Sequence, residues 1–426
     1  MDPSLEAKTY AKVSRRLLPF LFLCYILAYL DRVNLGFAKL QMLGDLKFSD
    51  AVFATGAGLF FIGYFFFEVP SNLLLQRFGA RRWIARIMVS WGVLSAAMMF
   101  TRSVATFYGL RLLLGLAEAG FFPGIVYYLS TWYPARMRAR RTASFMAAIA
   151  VAGIIGNPLS GALMDALSGV GGLAGWQWLF LVEGLPSVLV GCFVLHYLDS
   201  SIDEAQWLTD DEKALLAANI AAEDAAKPHA RAADAFGDGR VWVLCLVYFC
   251  LMVGLYAVTF WLPTLVTTLV GKAYLKVGLL SAVPYMAAVV AMFAVGRHSD
   301  QTGERRLHAA GSFVAAGVGL LLVGYTGEQH AVLSMLCLSL AAAGILTAMP
   351  LFWTLPTGFL TSAAAAAGIG LINSFGNLGG YVGPKIPVWA KTAHIEPMLV
   401  VALALFAGAV VLLLAVRTSQ AEIPDR

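Results

Sequence analysis

Charge is what this sequence has least of. Asp, Glu, Lys and Arg make up 13% of the 426 residues, about half the share found in a soluble globular domain. That scarcity excludes an ordinary soluble enzyme. The formal net charge of +5 does not make a nucleic-acid binder either, because the cations sit in short loops between apolar runs. Cysteine is sparse too. Cys24, Cys192, Cys245, Cys250 and Cys337 all fall in apolar segments without metal-type spacing and read as small hydrophobes. The six His lie in loops or near the ends of apolar runs, so none is placed as a proton relay. The sequence offers no phosphate-cradling glycine loop, metal cluster or Ser/His/Asp arrangement. It reads as a non-enzyme without a cofactor.

What is abundant is hydrocarbon: hydrophobic residues make up 60% and the mean hydropathy is +0.76. Runs of about 20 apolar residues recur from Leu17 to the C-terminus, long enough to cross a bilayer. They predict an all-α polytopic membrane protein with twelve transmembrane helices. The spans fall at about 17–40, 51–75, 83–101, 104–130, 142–164, 176–198, 241–264, 276–296, 308–326, 331–354, 361–384 and 395–416. One side collects Lys8, Lys12, Arg15, Arg16, Arg77, Arg81, Arg82, Arg86, Arg136, Arg138, Arg140, Arg141, Arg297, Arg305 and Arg306. Cations concentrate on the cytoplasmic side, so both termini are expected there, in a multi-pass monomer of a bacterial cytoplasmic membrane.

The longest hydrophilic stretch, Asp199–Arg240, divides the chain into residues 1–198 and 241–426, each a bundle of six helices, joined by the linker 199–240. Thr209-Asp-Asp-Glu212 has the pattern of a capping box, and Leu215, Leu216 and Ile220 would give the helix behind it an apolar face. Pro228 and Gly237–Gly239 then loosen the chain. The two halves also repeat. Asn72-Leu-Leu-Leu-Gln76-Arg-Phe-Gly79-Ala-Arg81-Arg82 after span two matches Gly296-Arg-His-Ser-Asp300-Gln-Thr-Gly303-Glu-Arg305-Arg306 after span eight, with the glycine and the basic pair in register. An internal six-plus-six repeat is a mark of transporters, with the binding site between the halves.

These two loops resemble the Gly-x-x-x-Asp-Arg-x-Gly-Arg-Arg signature of the major facilitator superfamily. The second copy keeps Gly296, Asp300 and Gly303. The first keeps Gly79 and Arg81 but departs at Asn72 and Gln76, so it lacks the acid of a gating ion pair. Three further stretches resemble the anion:cation symporter family: Tyr29-Leu-Asp-Arg-Val-Asn34, Arg111-Leu-Leu-Leu-Gly-Leu-Ala-Glu-Ala-Gly-Phe-Phe-Pro123, and Gly370-Leu-Ile-Asn-Ser-Phe-Gly-Asn-Leu-Gly-Gly380. That family includes bacterial tartrate, sugar-acid, phthalate and hydroxyphenylacetate permeases and is related to sialin and the vesicular glutamate transporters.

A charge at the centre of a membrane helix costs roughly 2.5–3.5 kcal/mol on insertion scales, so such residues mark a functional path. Asp31 and Glu118 are the acids nearest the midplane of the first half. Glu118 follows Arg111 by two helical turns, which puts both on one face. Arg111 is expected to hold Glu118 ionised until substrate or a conformational change draws it away. The resemblance implies that the acids of spans one and four couple the proton. Arg32 offers the bidentate fork that suits a substrate carboxylate, and it projects about 100° away from Asp31. The resemblance adds Tyr29 and Tyr64 to the substrate site. Asn373 and Asn377, one turn apart, suit either substrate oxygens or a bond between helices. Glu68 and Glu183 lie off the midplane and read as structural or gating acids. Gly153-x-x-x-Asn157-Pro158-x-x-Gly161 resembles a degraded Gly/Pro motif of drug antiporters, but its small residues equally serve close helix packing.

The expectation is proton-coupled uptake of a small organic anion, a hydroxylated carboxylate such as tartrate or a sugar acid. Uptake of an aromatic carboxylate, for which Tyr256, Trp261 and Trp353 would line the cavity, and proton-driven efflux stand as alternatives.

Overall fold

The computed structural model describes residues 3–226, 234–326, 330–357 and 362–415. Pro228 and the side chains of Arg136 and Arg140 lie outside the described residues. Helices account for nearly all of the described chain, and no strand occurs among the described residues.

The first half comprises α1 (Pro3–Leu46), α2 (Asp50–Phe78), α3 (Ala80–Ala97), α4 (Val104–Glu118), α5 (Phe121–Ser130), α6 (Ala135–Met146), α7 (Ala148–Leu167) and α8 (Gly175–Tyr197). The linker carries α9 (Asp210–Ala226) and α10 (Asp234–Gly237). The second half comprises α11 (Gly239–Val270), α12 (Tyr274–Thr302), α13 (Arg306–Thr326), α14 (Ala331–Thr357), α15 (Ser362–Val382), α16 (Ile386–Thr392) and α17 (Pro397–Ala415). By length and composition, 11 stretches among the described residues can cross a membrane, and α15 occupies the place of the remaining expected span. Their outward faces are apolar: Phe66, Leu189 and Phe293 are each 70% exposed or more. A soluble protein would not display such a belt, and lipid tails would cover it.

The helices depart from the expected spans in several places, among them the span 142–164, where α6 gives way to α7 after Met146. α1 begins at Pro3 rather than near Leu17, because the basic segment ahead of the apolar run stays helical and packs against the linker. The expected span 104–130 is broken into α4 and α5 at Gly120, which adopts φ +84°. Only glycine fits there, since a Cβ would collide with the Ser71 side chain.

The capping box at the start of α9 is present: Thr209 N donates to Glu212 Oε2 at 2.9 Å, and Glu212 N donates to Thr209 Oγ1 at 3.3 Å. Leu215 and Leu216 are buried and Ile220 is half-buried, so α9 lies on the ends of α1 and α6. Lys12 pairs with Glu212 at 2.7 Å and Arg138 with Glu223 at 3.2 Å.

Two seams join the halves, α7 against α12 and α2 against α15, with α1 touching α11 between them. Small residues make the first seam. A Cβ on Gly161 would meet the Tyr274 carbonyl, one on Gly278 the Asn157 carbonyl, and one on Gly153 the Tyr285 ring. The Gly153–Gly161 motif therefore brings two backbones together. On the face opposite the arginine clusters, closure is equally tight: Gly36 meets the Thr259 and Phe260 carbonyls, and Gly58 meets Tyr381. There Lys39 pairs with Asp50 at 2.9 Å and lies 3.3 Å from the centre of the Trp261 ring.

Candidate transport site

Asp31 and Arg32 are neighbours on α1 but enter different surroundings, as the 100° step of a helix requires. Asp31, 3% exposed, points into the first half between α3 and α8. Ser95 Oγ donates to its Oδ1 at 2.6 Å, while Trp91 Nε1 and Ser187 Oγ each donate to Oδ2 at 3.1 Å. Asn34 Nδ2 reaches Oδ1 at 3.4 Å. All four partners are neutral. Hydrogen bonds rather than a counter-ion hold this carboxyl group, and it does not line the central cavity.

Arg32 points the other way. Its Nε donates to Glu118 Oε1 at 2.9 Å, Nη2 donates to the same oxygen, and Nη1 donates to the Tyr256 hydroxyl at 3.0 Å. The rings of Phe60, Tyr64 and Tyr29 surround the guanidinium at 5.4, 5.7 and 5.9 Å. A weakly hydrated, planar cation gains from such faces. Arg111 has a different task from the one expected. It donates to the carbonyls of Gly56 at 3.2 Å and Ala57 at 3.3 Å, tethering α4 to α2. The hydrogen-bonded partner of Glu118 is Arg32, although Arg111 stays close enough to act on it through space. The shared helix face was legible, but the close approach of α4 to α2, where Gly115 meets the Phe60 carbonyl, puts the Gly56 and Ala57 carbonyls within reach of Arg111.

Between the halves lies a narrow cavity of about 20 Å³. Tyr29, Arg32, Tyr64, Tyr256, Asn373 and Asn377 supply most of its polar lining. Arg32 is the one charged side chain in the lining among the described residues. Tyr25 both lines the cavity and stacks on Phe145 at 4.4 Å. Of the aromatic residues expected there, Tyr256 lines it. Trp261 instead lies under Lys39 and donates to the Pro384 carbonyl at 3.1 Å, and Trp353 packs near Phe122 at its edge.

The residues 21–384 match the sequence profile of the Major Facilitator Superfamily. The chain belongs to that superfamily. A protein named putative tartrate transporter from Agrobacterium vitis is 49% identical over 393 residues, which cover 92% of this chain and 90% of its own. One named quinolone resistance transporter from Acinetobacter baumannii is 40% identical over 382 residues, 89% of this chain and 87% of its own. Among solved structures, a D-xylose–proton symporter superposes with a TM-score of 0.72 over 95% of this chain and 98% of that one, at 17% identity. This last likeness shows the fold. The chain is a membrane transporter, not an enzyme.

The two signature loops of this transporter differ in detail. In the second, Gly303 is left-handed at φ +68°, and Asp300 pairs with Arg305 at 2.5 Å. Gly296 lies within α12 with open space around it. In the first, Gly79 at φ +84° ends α2 and starts α3, and Arg81 is half-buried. The residues that replace the motif's glycine and acid do other work: Asn72 donates to the Glu68 carbonyl at 3.0 Å and Gln76 is exposed.

Sequence reasoning passed over the partners of Asp31 and read Glu68 as an acid off the midplane with a structural or gating role. Glu68 is 1% exposed and accepts from Asn373 Nδ2 and, at 2.8 Å, from Ser374 Oγ of the other half. The available signal was its spacing: it lies one turn beyond Tyr64 on the same face of α2.

Proposed function

We propose that this transporter carries a small organic anion together with a proton into a bacterial cell, by rocking of residues 1–198 against 241–426 with 199–240 as the link. The observation that carries the reading is Arg32: it faces the cavity, yet two of its donors already engage Glu118. While Glu118 is ionised, a substrate carboxylate must share the guanidinium with a rival anion. A proton on Glu118 removes the rival. An anion on Arg32 in turn favours the protonated Glu118, because the coupling is reciprocal. Proton and anion therefore load together. Asp31, held only by neutral donors, is the second proton site, and Arg111 keeps α4 in register with α2.

The substrate we favour is a hydroxylated carboxylate such as tartrate or a sugar acid. Around Arg32, Tyr29, Tyr64, Tyr256, Asn373 and Asn377 offer both donors and acceptors for hydroxyl and carboxylate oxygens, and the relative named for tartrate supports the choice. The arginine-rich face is then cytoplasmic, with both termini on that side, and the protein works as a monomer. A second reading, proton-driven export of an amphiphile, draws on the relative named for quinolone resistance. Vesicles reconstituted with purified protein decide between them. Uptake predicts that a proton gradient, acid outside, concentrates labelled L-tartrate inside. Release of a preloaded fluoroquinolone under the same gradient, without tartrate accumulation, would instead support export.

A further inference from the structure

Both sides of the central cavity carry a carboxylate contact between the halves, but the packing around it differs: opposite the arginines Asp165 accepts from Leu275 N at 2.7 Å beside closely approaching backbones. On the face opposite the arginines, glycines bring backbone against backbone, as at Gly36, Gly58 and Gly161. On the arginine-rich side, α2 and α15 are joined by a polar contact. Glu68 accepts hydrogen bonds from Asn373 and Ser374, flanked by the edge-on pair Phe65–Phe375 at 6.3 Å. The position along the helices fixes the side: Tyr64 lines the cavity, and Glu68 is one turn nearer Arg77 and Arg81.

Asn373 belongs to both structures. It lines the cavity, where an anion must find donors, and its amide already serves the Glu68 carboxylate. We propose that Glu68 is a built-in competitor for the substrate: a carboxylate latch that holds α2 to α15 until an arriving carboxylate takes Asn373. Both donors to Glu68 are neutral and come from the opposite half. Losing them releases one half from the other at this side only. A carboxylate is suited to this role because the ligand that displaces it presents the same group. Only the identity of that ligand rests on the organic-anion reading. The latch itself rests on the contact between Glu68, Asn373 and Ser374.

The test uses the full-length protein with its five native cysteines replaced and Met146→Cys as reporter, since Met146 lines the cavity on α6, which starts toward the arginine-rich face. The rate of N-ethylmaleimide labelling reads opening on that side. Without ligand, Glu68→Ala and the milder Ser374→Ala should both label faster than the parent, with Glu68→Gln in between because its amide oxygen still accepts from Asn373. L-tartrate and a panel of related acids should speed labelling of the parent and leave Glu68→Ala, already open, unchanged. The same acids should bind Glu68→Ala more tightly by about tenfold, the equivalent of one charge-assisted hydrogen bond no longer in competition. Unchanged ligand-free labelling in folded Glu68→Ala and Ser374→Ala would overturn the latch. So would weaker binding to Glu68→Ala, which would make Glu68 a substrate-binding group. If no acid in the panel binds the parent, the organic-anion reading fails, and the ligand-free arm still decides the latch.

Discussion

Arg32 Nε and Nη2 both converge on one oxygen of Glu118, Oε1, across 86 residues of sequence. The pair joins α1 to α4, and the third bond of the same guanidinium, to Tyr256, joins α1 to α11 of the other half. Oε2 of Glu118 stays outside that fork. One side chain thus touches an acid of its own half and a phenol of the other.

Replacing Arg32 by Lys keeps the charge but removes the planar fork. Breaking one side of a buried, hydrogen-bonded charge pair costs about 2–5 kcal/mol in binding. Arg32→Lys should therefore weaken anion binding by roughly 30-fold or more, read by calorimetry on purified protein. A variant that binds as tightly as the parent would remove Arg32 from the substrate site.

Asp31 depends on its neutral donors. Ser95 and Ser187 each supply one of its hydrogen bonds. Ser95→Ala or Ser187→Ala should shift the pH profile of uptake by about one unit, in line with the loss of one hydrogen bond to a charged group. A profile that stays in place in both variants would separate Asp31 from the proton.

Gly161 carries the closure of the opposite face. Gly161→Val would push a side chain into the Tyr274 carbonyl, so α7 and α12 could not close there. Transport should fall at least tenfold, while the protein stays folded and labelling of a cysteine in place of Asp165 rises, because position 165 faces α12 across this seam, where Asp165 accepts from Leu275 N at 2.7 Å. Wild-type turnover in this variant would contradict the role given to that seam.

The helices were legible because lipid demands continuous apolar runs, and the linker helix because its capping box is local. What sequence could not give was direction. Arg111 and Glu118 do share a face, yet Arg111 bonds to backbone that Gly56 and Ala57 bring near, and no periodicity announces a carbonyl. Glu68 read only as a structural or gating acid, without partners, because Asn373 and Ser374 lie more than 300 residues away. The break at Gly120 was hidden for a similar reason: the space a Cβ would need there is taken by Ser71 on another helix.

The linker contact has a pH window of its own. Burial pushes the Glu212 carboxyl up, but the Lys12 ammonium and the Thr209 groups outweigh it and hold it below the usual range. A lowered value means that its contribution is full above the ordinary glutamate value of about 4.3 and is lost as the pH falls below that. The pair is partly exposed, so Lys12→Ala should loosen α9 by less than about 1 kcal/mol at pH 7 and by progressively less as the pH falls below about 4. Hydrogen exchange of α9 measures both, and an effect unchanged across that range would contradict the charge pairing.

The central claim is that Glu118 trades its grip on Arg32 for a proton when the anion arrives, and Glu118→Gln in proteoliposomes tests it most directly. The amide of that variant would imitate the protonated carboxyl permanently. Exchange of labelled for unlabelled L-tartrate across the membrane should persist, while accumulation driven by a pH gradient should fall to the level of vesicles without a gradient. If Glu118→Gln still concentrates tartrate against its gradient, the proton is carried elsewhere and the account of the Arg32–Glu118 pair is wrong.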